Sequence, residues 1–357
     1  MVRSALCCAA LLSSLLVAGQ SDRKPNRIDH ARLLIYQDVT GENRPVKTIA
    51  DWQKRKAAIL LAMQEVMGPL PGKDRRCPLD MKVDEEVDCG TFVRRLISYQ
   101  SEPAPGTQRV PAYLLIPKRA LDGRLKAPAV LSLHPTHFAG FNTTVGLARY
   151  PDASYGRELA ERGFVVLAPP YPLLADYNPD LKKLGYQSGT MKAIWDNIRG
   201  LDLLESLPYV KKDGFAAIGH SLGGHNAVYT AAFDERIKVV VTSCGLDSYR
   251  DYMNGNIKGW TSDRYMPKLL DYKLEEIPFD FHEIIGSLAP RHVFISAPIG
   301  DTNFRYKSVD AVAKSAREVF ALYKVENNLR VEHPDTGHVF SKEMRDAAYK
   351  LIEANLK

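Results

Sequence analysis

Phe215-Ala216-Ala217-Ile218 is a short apolar run, and Gly219-His220-Ser221-Leu222-Gly223-Gly224 follows it at once. The run reads as a fully buried strand, and residues 225–232 read as a helix. A small residue two positions before and two after a serine, set between strand and helix, is the pattern of a nucleophile elbow. The turn is so tight that side chains at 219 and 223 would collide, which calls for glycine at both. It holds the Ser221 hydroxyl clear of the backbone, at a helix N-terminus whose N–H groups can face an anion. The rest of the chain makes sense as a scaffold around that serine.

From residue 128 onward, short apolar strands alternate with helical segments. The strands are expected at 129–133, 164–168, 215–218, 239–242, 292–297 and 329–332. The helices are expected at about 152–162, 188–207, 222–234, 309–323 and 341–356. The helix before the elbow sets Met191, Ile194, Trp195, Ile198, Leu201 and Leu204 along one face. Continuously apolar strands alternating with helices specify an α/β fold, a mainly parallel central sheet with helices on both faces. Residues 92–99 and 110–116, separated by a turn with Pro103, Pro105 and Gly106, add an antiparallel hairpin ahead of it. One stretch, 247–278, interrupts the alternation and is rich in Tyr, Trp, Asp and Lys. Leaving the sheet after a strand, it would overhang the carboxyl ends of the strands, where open α/β sheets bind ligands.

The first residues stand apart. Arg3 precedes an uncharged apolar run from Ala5 to Ala18, and Val17-Ala18-Gly19 offers small residues for cleavage. Residues 1–19 therefore read as a secretory signal peptide, too short for a comfortable membrane span. No later run is long and apolar enough to cross a bilayer, so a secreted or periplasmic protein is expected. Residues 20–89 form an N-terminal extension with one helix. That helix opens at Thr48-Ile49-Ala50-Asp51 with a capping-box pattern, buries Ile49, Trp52, Leu60, Met63 and Met67, and ends at Gly68-Pro69. Residues 90–357 form the catalytic domain.

The net charge is +6, carried by dispersed basic residues such as Lys54-Arg55-Lys56 and Lys182-Lys183. Dispersed pairs are solvated faces and leave no nucleic-acid footprint. Past the signal, three cysteines remain: Cys77, Cys89 and Cys244. In an oxidising compartment Cys77 and Cys89 could close a small loop or stay reduced, and the sequence leaves both open. Cys244 ends an apolar run and reads as a buried, inert thiol. Nothing has zinc-ligand spacing.

A serine hydroxyl needs a base within hydrogen-bond reach. Among nine histidines, His338 is the best placed, in Asp335-Thr336-Gly337-His338 after the last strand and before the last helix. His220 reads as packing under the turn or as an accessory group. The base needs a carboxylate to orient it. Asp301 follows a strand through Pro298-Ile299-Gly300, and Asp247, one strand earlier, is its rival. The order Ser221, Asp301, His338 is the Ser…Asp…His order that goes with this elbow. The oxyanion needs N–H donors. Leu222 supplies one, and the loop His134-Pro135-Thr136-His137 the other. Pro135 has no N–H to give, which leaves Thr136, with His137 second. His134 and His137 in that loop, with Tyr252 and Trp260 in the 247–278 stretch, are candidate substrate contacts; the alternative reading has the histidines cap the loop and the aromatics pack.

With these parts in place, the chain resembles an α/β-hydrolase over about residues 90–357. Within that superfamily it is similar to exported bacterial proteins called dienelactone-hydrolase-like or acetyl-xylan-esterase-like. The likeness is carried by His134-Pro135-Thr136, the stretch Tyr155 to Gly163 leading to Ala168-Pro169, and Trp195-Asp196-Asn197-Ile198-Arg199. Ala289-Pro290-Arg291 and Asp335-Thr336-Gly337-His338 complete it. It implies serine-type ester hydrolysis at Ser221, Asp301 and His338, on a small-molecule or carbohydrate ester such as an acetyl ester, with no cofactor and no metal. Two positions depart from the pattern. True dienelactone hydrolases carry cysteine where Ser221 stands, and Pro170-Tyr171-Pro172 has Tyr171 where relatives tend to carry an acid. The alternatives are a prolyl-oligopeptidase-type peptidase, whose β-propeller the roughly 110 residues before the sheet could not form, and a non-catalytic binding protein on this scaffold. Dehalogenases and epoxide hydrolases would need aspartate at position 221.

Overall fold

The computed structural model describes residues 32–104 and 106–357. The expected signal peptide at 1–19 lies outside the described residues, as does Pro105 of the hairpin turn. The described chain opens with a small antiparallel pair, β1 (Ile35–Gln37) and β2 (Asn43–Pro45). Three residues per strand with no buried face leave no periodicity to read, and a surface wrap was the expectation for this stretch. Helix α1 (Ile49–Met67) follows, and both hydrogen bonds of the Thr48/Asp51 capping box form. It buries Trp52, Ile59, Met63, Val66 and Met67, and with them Arg55 and Lys56, which the sequence placed on a solvated face and which instead pair with Glu283 and Glu235. Ile49, expected on that face, is exposed because it sits in the first turn beyond the edge of the core.

Strands β3 (Lys82–Asp88), β4 (Phe92–Tyr99) and β5 (Val110–Pro117) form an antiparallel meander. β3 reads Lys-Val-Asp-Glu-Glu-Val-Asp and is almost wholly exposed at the sheet edge. Charge on an edge strand blocks further pairing. The short helix α2 (Lys118–Leu121) leads into β6 (Ala127–Leu133), then α3 (Tyr155–Glu161), β7 (Val165–Ala168), α4 (Gly189–Ser206) and β8 (Val210–His220). After the elbow come α5 (Leu222–Phe233), β9 (Ile237–Ser243), α6 (Phe281–Ser287) and β10 (His292–Ser296). The chain closes with α7 (Tyr306–Leu322), β11 (Leu329–Glu332) and α8 (Lys342–Leu356). The nine-stranded sheet runs β11-β10-β9-β8-β6-β7-β5-β4-β3. The six strands from β11 to β7 are mutually parallel, and β5 joins β7 antiparallel. The order reverses beside β8, so the elbow lies at the topological switch point.

Cys77 and Cys89 are free thiols. Cys77 lies by the carbonyl of Gln100, beyond one end of β4, whereas Cys89 pairs with Phe92 at the other. A strand of that length spans about 25 Å at ~3.3 Å per residue, so the hairpin itself keeps the sulfurs apart.

All six apolar positions expected on α4 are buried, and so is Lys192 beside them. Its ammonium donates to Ser101 Oγ (3.1 Å), Glu102 Oε1 (3.0 Å) and Asp196 Oδ1 (2.5 Å). Tyr186 donates to the same Glu102, and Tyr177 to Asp196. Removing the cation would leave two buried carboxylates facing each other. Lys192→Met is therefore expected to destabilise the protein by about 3–5 kcal/mol, read from the denaturant midpoint.

Candidate active site

Ser221 sits between β8 and α5 with φ 53° and ψ −119°, a strained conformation for a residue with a Cβ. A Cβ on Gly219 would run into the backbone of Gly223, and one on Gly223 into the Leu133 carbonyl. Both glycines are there because backbone passes where a side chain would be. The Ser221 N–H donates to the Ser243 carbonyl (2.8 Å), which ties the strained turn to β9. Leu222 opens α5, so its N–H has no intrahelical acceptor and stays available at the dipole end.

Three loops at the carboxyl ends of β9, β10 and β11 meet this turn. The β10–β11 pairing continues past the strand ends: Ala297 N–H donates to Glu332 O (2.8 Å), Ile299 to Pro334 (3.0 Å) and Gly300 to Thr336 (3.0 Å). A Cβ on Gly300 would come within 2.9 Å of the Thr336 carbonyl oxygen. This zipper sets Asp301 against His338, whose Nδ1 lies 3.1 and 3.0 Å from the two carboxylate oxygens. Asp301 Oδ1 also accepts from the N–H groups of Asn303 (2.8 Å) and Phe304 (3.2 Å). Burial works to raise the Asp301 pKa, but the His338 bond and these N–H donors outweigh it and hold the carboxyl low. Nδ1–H is thereby committed to Asp301, leaving Nε2 with its lone pair, and the ring stays partly solvent-accessible. Among the described residues no Ser221–His338 hydrogen bond is formed. In ligand-free sites such bonds are often long.

Asp247 does not reach His338. Its Oδ2 accepts the N–H of Arg305 (3.0 Å), and its Oδ1 is buried without a partner. Burial pushes its pKa up to about 7. It braces the 301–305 loop from behind. Cys244 also faces the acid. Burial, with the Asp301 charge next in weight, pushes its thiol pKa up, so it is no nucleophile.

The loop after β6 presents Thr136 exposed at its tip, next to Pro135. His134, expected as a substrate contact, is instead buried, with both ring nitrogens in use. Nδ1–H donates to Pro135 O and Nε2 accepts the N–H of Tyr171, each at 2.8 Å. It is the pin that fixes the loop. His137 Nδ1 accepts the Ala139 N–H (3.1 Å), and its ring packs on Phe138 and Tyr150. Tyr252 and Trp260 are buried as well and offer almost no surface to a sugar. Trp260 stacks on His225 (4.6 Å) and packs on Tyr252 (5.3 Å) and Phe304, and Phe304 in turn packs on His338. The 247–278 stretch is a set of short 3-10 turns. Lys268 and Tyr272 bond to Glu65 of α1, and Arg264 to the Leu173 carbonyl. His220 packs under the turn, with Nδ1 at Ser243 Oγ (3.2 Å) and its ring 4.9 Å from that of His338. Residue pattern alone did not single out the parts played by Tyr171, Phe304 and Cys244. Only the position of Cys244 just past a strand end, level with the acid loop, hinted at its placement.

The sequence model of a family described as Glucuronyl esterase, fungi, matches residues 180–323. A glucuronoyl esterase from Solibacter usitatus superposes with a TM-score of 0.73 at 19% identity, covering 93% of this chain and 99% of that one. A candidate acetyl xylan esterase of Bacteroides fragilis NCTC 9343 superposes with a TM-score of 0.65 at 16% identity, over 86% and 89% of the two chains. The chain has the α/β-hydrolase fold. A candidate hydrolase of Bacillus subtilis strain 168, YtaP, is 27% identical over 260 residues, 70% of this chain and 84% of YtaP. Among the described residues no helix is long and apolar enough to cross a membrane.

Buried histidines make the protein acid-sensitive. Burial holds His134 down at about 4 and His225 at about 3, the latter with both nitrogens unpartnered among Tyr229, Trp260, Tyr265 and Phe281. A histidine whose folded pKa lies below its unfolded value stabilises the fold above the unfolded pKa. It loses that stability as pH falls from about 6.5 toward the folded value. At pH 5 each is expected to cost about 2 kcal/mol relative to pH 7. His220, held down at about 3, adds a similar loss, and Asp247, held up at about 7, offsets about one such loss as it takes up its proton. Denaturation midpoints should therefore fall from pH 7 to pH 5 in the native protein and fall less in His225→Phe.

Proposed function

We propose that this chain is an exported serine esterase that cleaves carboxylic esters of carbohydrate. The observation that carries the reading is the Asp301–His338 pair held beside a strained, partly accessible Ser221 at the carboxyl ends of the sheet. Ser221 Oγ attacks the ester carbonyl carbon while His338 Nε2 takes its proton, and Asp301 orients the imidazole and stabilises its cation. The N–H groups of Leu222 and Thr136 hold the oxyanion. His338 then returns the proton to the departing alkoxide, the alcohol leaves, and water repeats the sequence on the acyl-enzyme. None of these steps calls for a cofactor. Export rests on the N-terminal apolar run.

On substrate, the matched family and the Solibacter structure favour an ester in which a glucuronic acid supplies the acyl group. The Bacteroides structure supports the opposite polarity, an acetyl group on a sugar hydroxyl. Hydrolysis of nitrophenyl acetate, methyl glucuronate and acetylated xylan separates these readings from one another. Ser221→Ala is expected to lose all measurable turnover, and turnover that survives it would reject the proposal. Asp301→Asn should lower kcat by about 10⁴-fold. Asp247→Asn, whose amide oxygen can still accept from Arg305, should stay within a few-fold of the parent. The reverse ranking would move the acid to Asp247.

A further inference from the structure

Cys244 takes no part in the ester reaction, yet its Sγ, a carboxylate oxygen of Asp301 and a ring nitrogen of His338 all lie within 4.8 Å of one another. The three groups come from the ends of β9, β10 and β11, neighbouring strands of the sheet, so the backbone sets their spacing. Cys244 is held in the left-handed region at φ 49°. Its N–H donates to Ser296 O (2.9 Å), and its Sγ lies 3.8 Å from Val339 O on the His338 loop. That conformation is disfavoured for any residue with a Cβ, and here it turns the thiol toward the acid.

A thiol, a carboxylate and an imidazole are the ligand types of zinc, at bond lengths of about 2.0–2.3 Å. Tetrahedral ligands at those lengths sit about 3.3–3.8 Å apart. The present separations, from 3.0 Å between His338 Nδ1 and Asp301 Oδ2 to the 4.8 Å limit, bracket that range. We propose that Cys244, Asp301 and His338 form an inhibitory site for a thiophilic divalent cation, zinc or cadmium. The cation bonds to Cys244 Sγ, an Asp301 oxygen and His338 Nδ1, with water completing the shell. The thiol proton and the displaced aquo ligands go to solvent. With Nδ1 bonded to metal, the ring proton of His338 resides on Nε2, which then has no lone pair for the Ser221 proton. The cation enters past His338, whose side chain is 29% exposed against 1% for Asp301. The inhibitory consequence rests on the serine-esterase reading; the binding does not.

The experiment uses the mature chain carrying Cys77→Ser and Cys89→Ser, so that Cys244 is the remaining thiol. Cadmium is titrated against the ultraviolet thiolate-to-metal charge-transfer band. In parallel, zinc is titrated against nitrophenyl acetate hydrolysis, each variant referred to its own rate in chelator. One equivalent of cadmium is expected to saturate the band. Cys244→Ser should abolish it and raise the zinc concentration for half inhibition by about tenfold or more. His338→Gln, checked for folding by circular dichroism, should weaken cadmium binding by a similar factor. A band absent from the parent, or unmoved in His338→Gln, overturns the site. Zinc inhibition unchanged in Cys244→Ser overturns its inhibitory role. A protein that binds cadmium through Cys244 yet hydrolyses no ester would leave the site standing and remove the esterase reading.

Discussion

The backbone pairing of β10 with β11 runs on beyond both strands, and the candidate chemistry depends on that continuation. Parallel strands normally part at their carboxyl ends, which is why ligand crevices open there. Here three further N–H···O bonds link residues 297–300 to 332–336. They bring a carboxylate on one loop and an imidazole on the other to 3.0 Å. Neither side chain would hold that geometry on a free loop. The acid is then stiffened from its other side by the N–H groups of Asn303 and Phe304, and Asp247 holds the N–H of Arg305 immediately after them.

The serine is constrained by different means. Its turn is strained, and the surroundings over-determine it: glycine at 219 and 223, a bond to the Ser243 carbonyl, and the buried face of α5 against the sheet. Strain of about 1–3 kcal/mol persists only where packing on every side fixes it. Buried polar groups such as Lys192, His134 and His225 lie in the layers around the site. They give the fold specificity of arrangement and make it sensitive to acid and to single charge removals.

Much of this was legible from residues 128–357, because fully buried parallel strands are short and continuously apolar and alternate with helices, of which α4, α6 and α8 carry a side-chain N-cap. The elbow was legible for a further reason: close backbone approach leaves only glycine at two fixed positions. The pair β1–β2 and strand β3 were not, since exposed strands carry no hydrophobic period. The roles of His134, Tyr252 and Trp260 were not legible either. A histidine or an aromatic ring reads the same in sequence whether it meets substrate or fills a core, and only burial and hydrogen-bond partners separate the two. The choice between Asp247 and Asp301 at His338 needed the loop zipper, which is built from main-chain groups and leaves no side-chain pattern.

The central claim is that Ser221 is an activated nucleophile driven by His338. The most direct measurement is reaction of the intact protein with a fluorophosphonate, followed by mass mapping of the adduct, in the parent and in His338→Ala. The account predicts a single adduct on the peptide carrying Ser221 and its near-complete loss in the variant. An adduct elsewhere, no adduct on a folded parent, or labelling that His338→Ala leaves undiminished would contradict it.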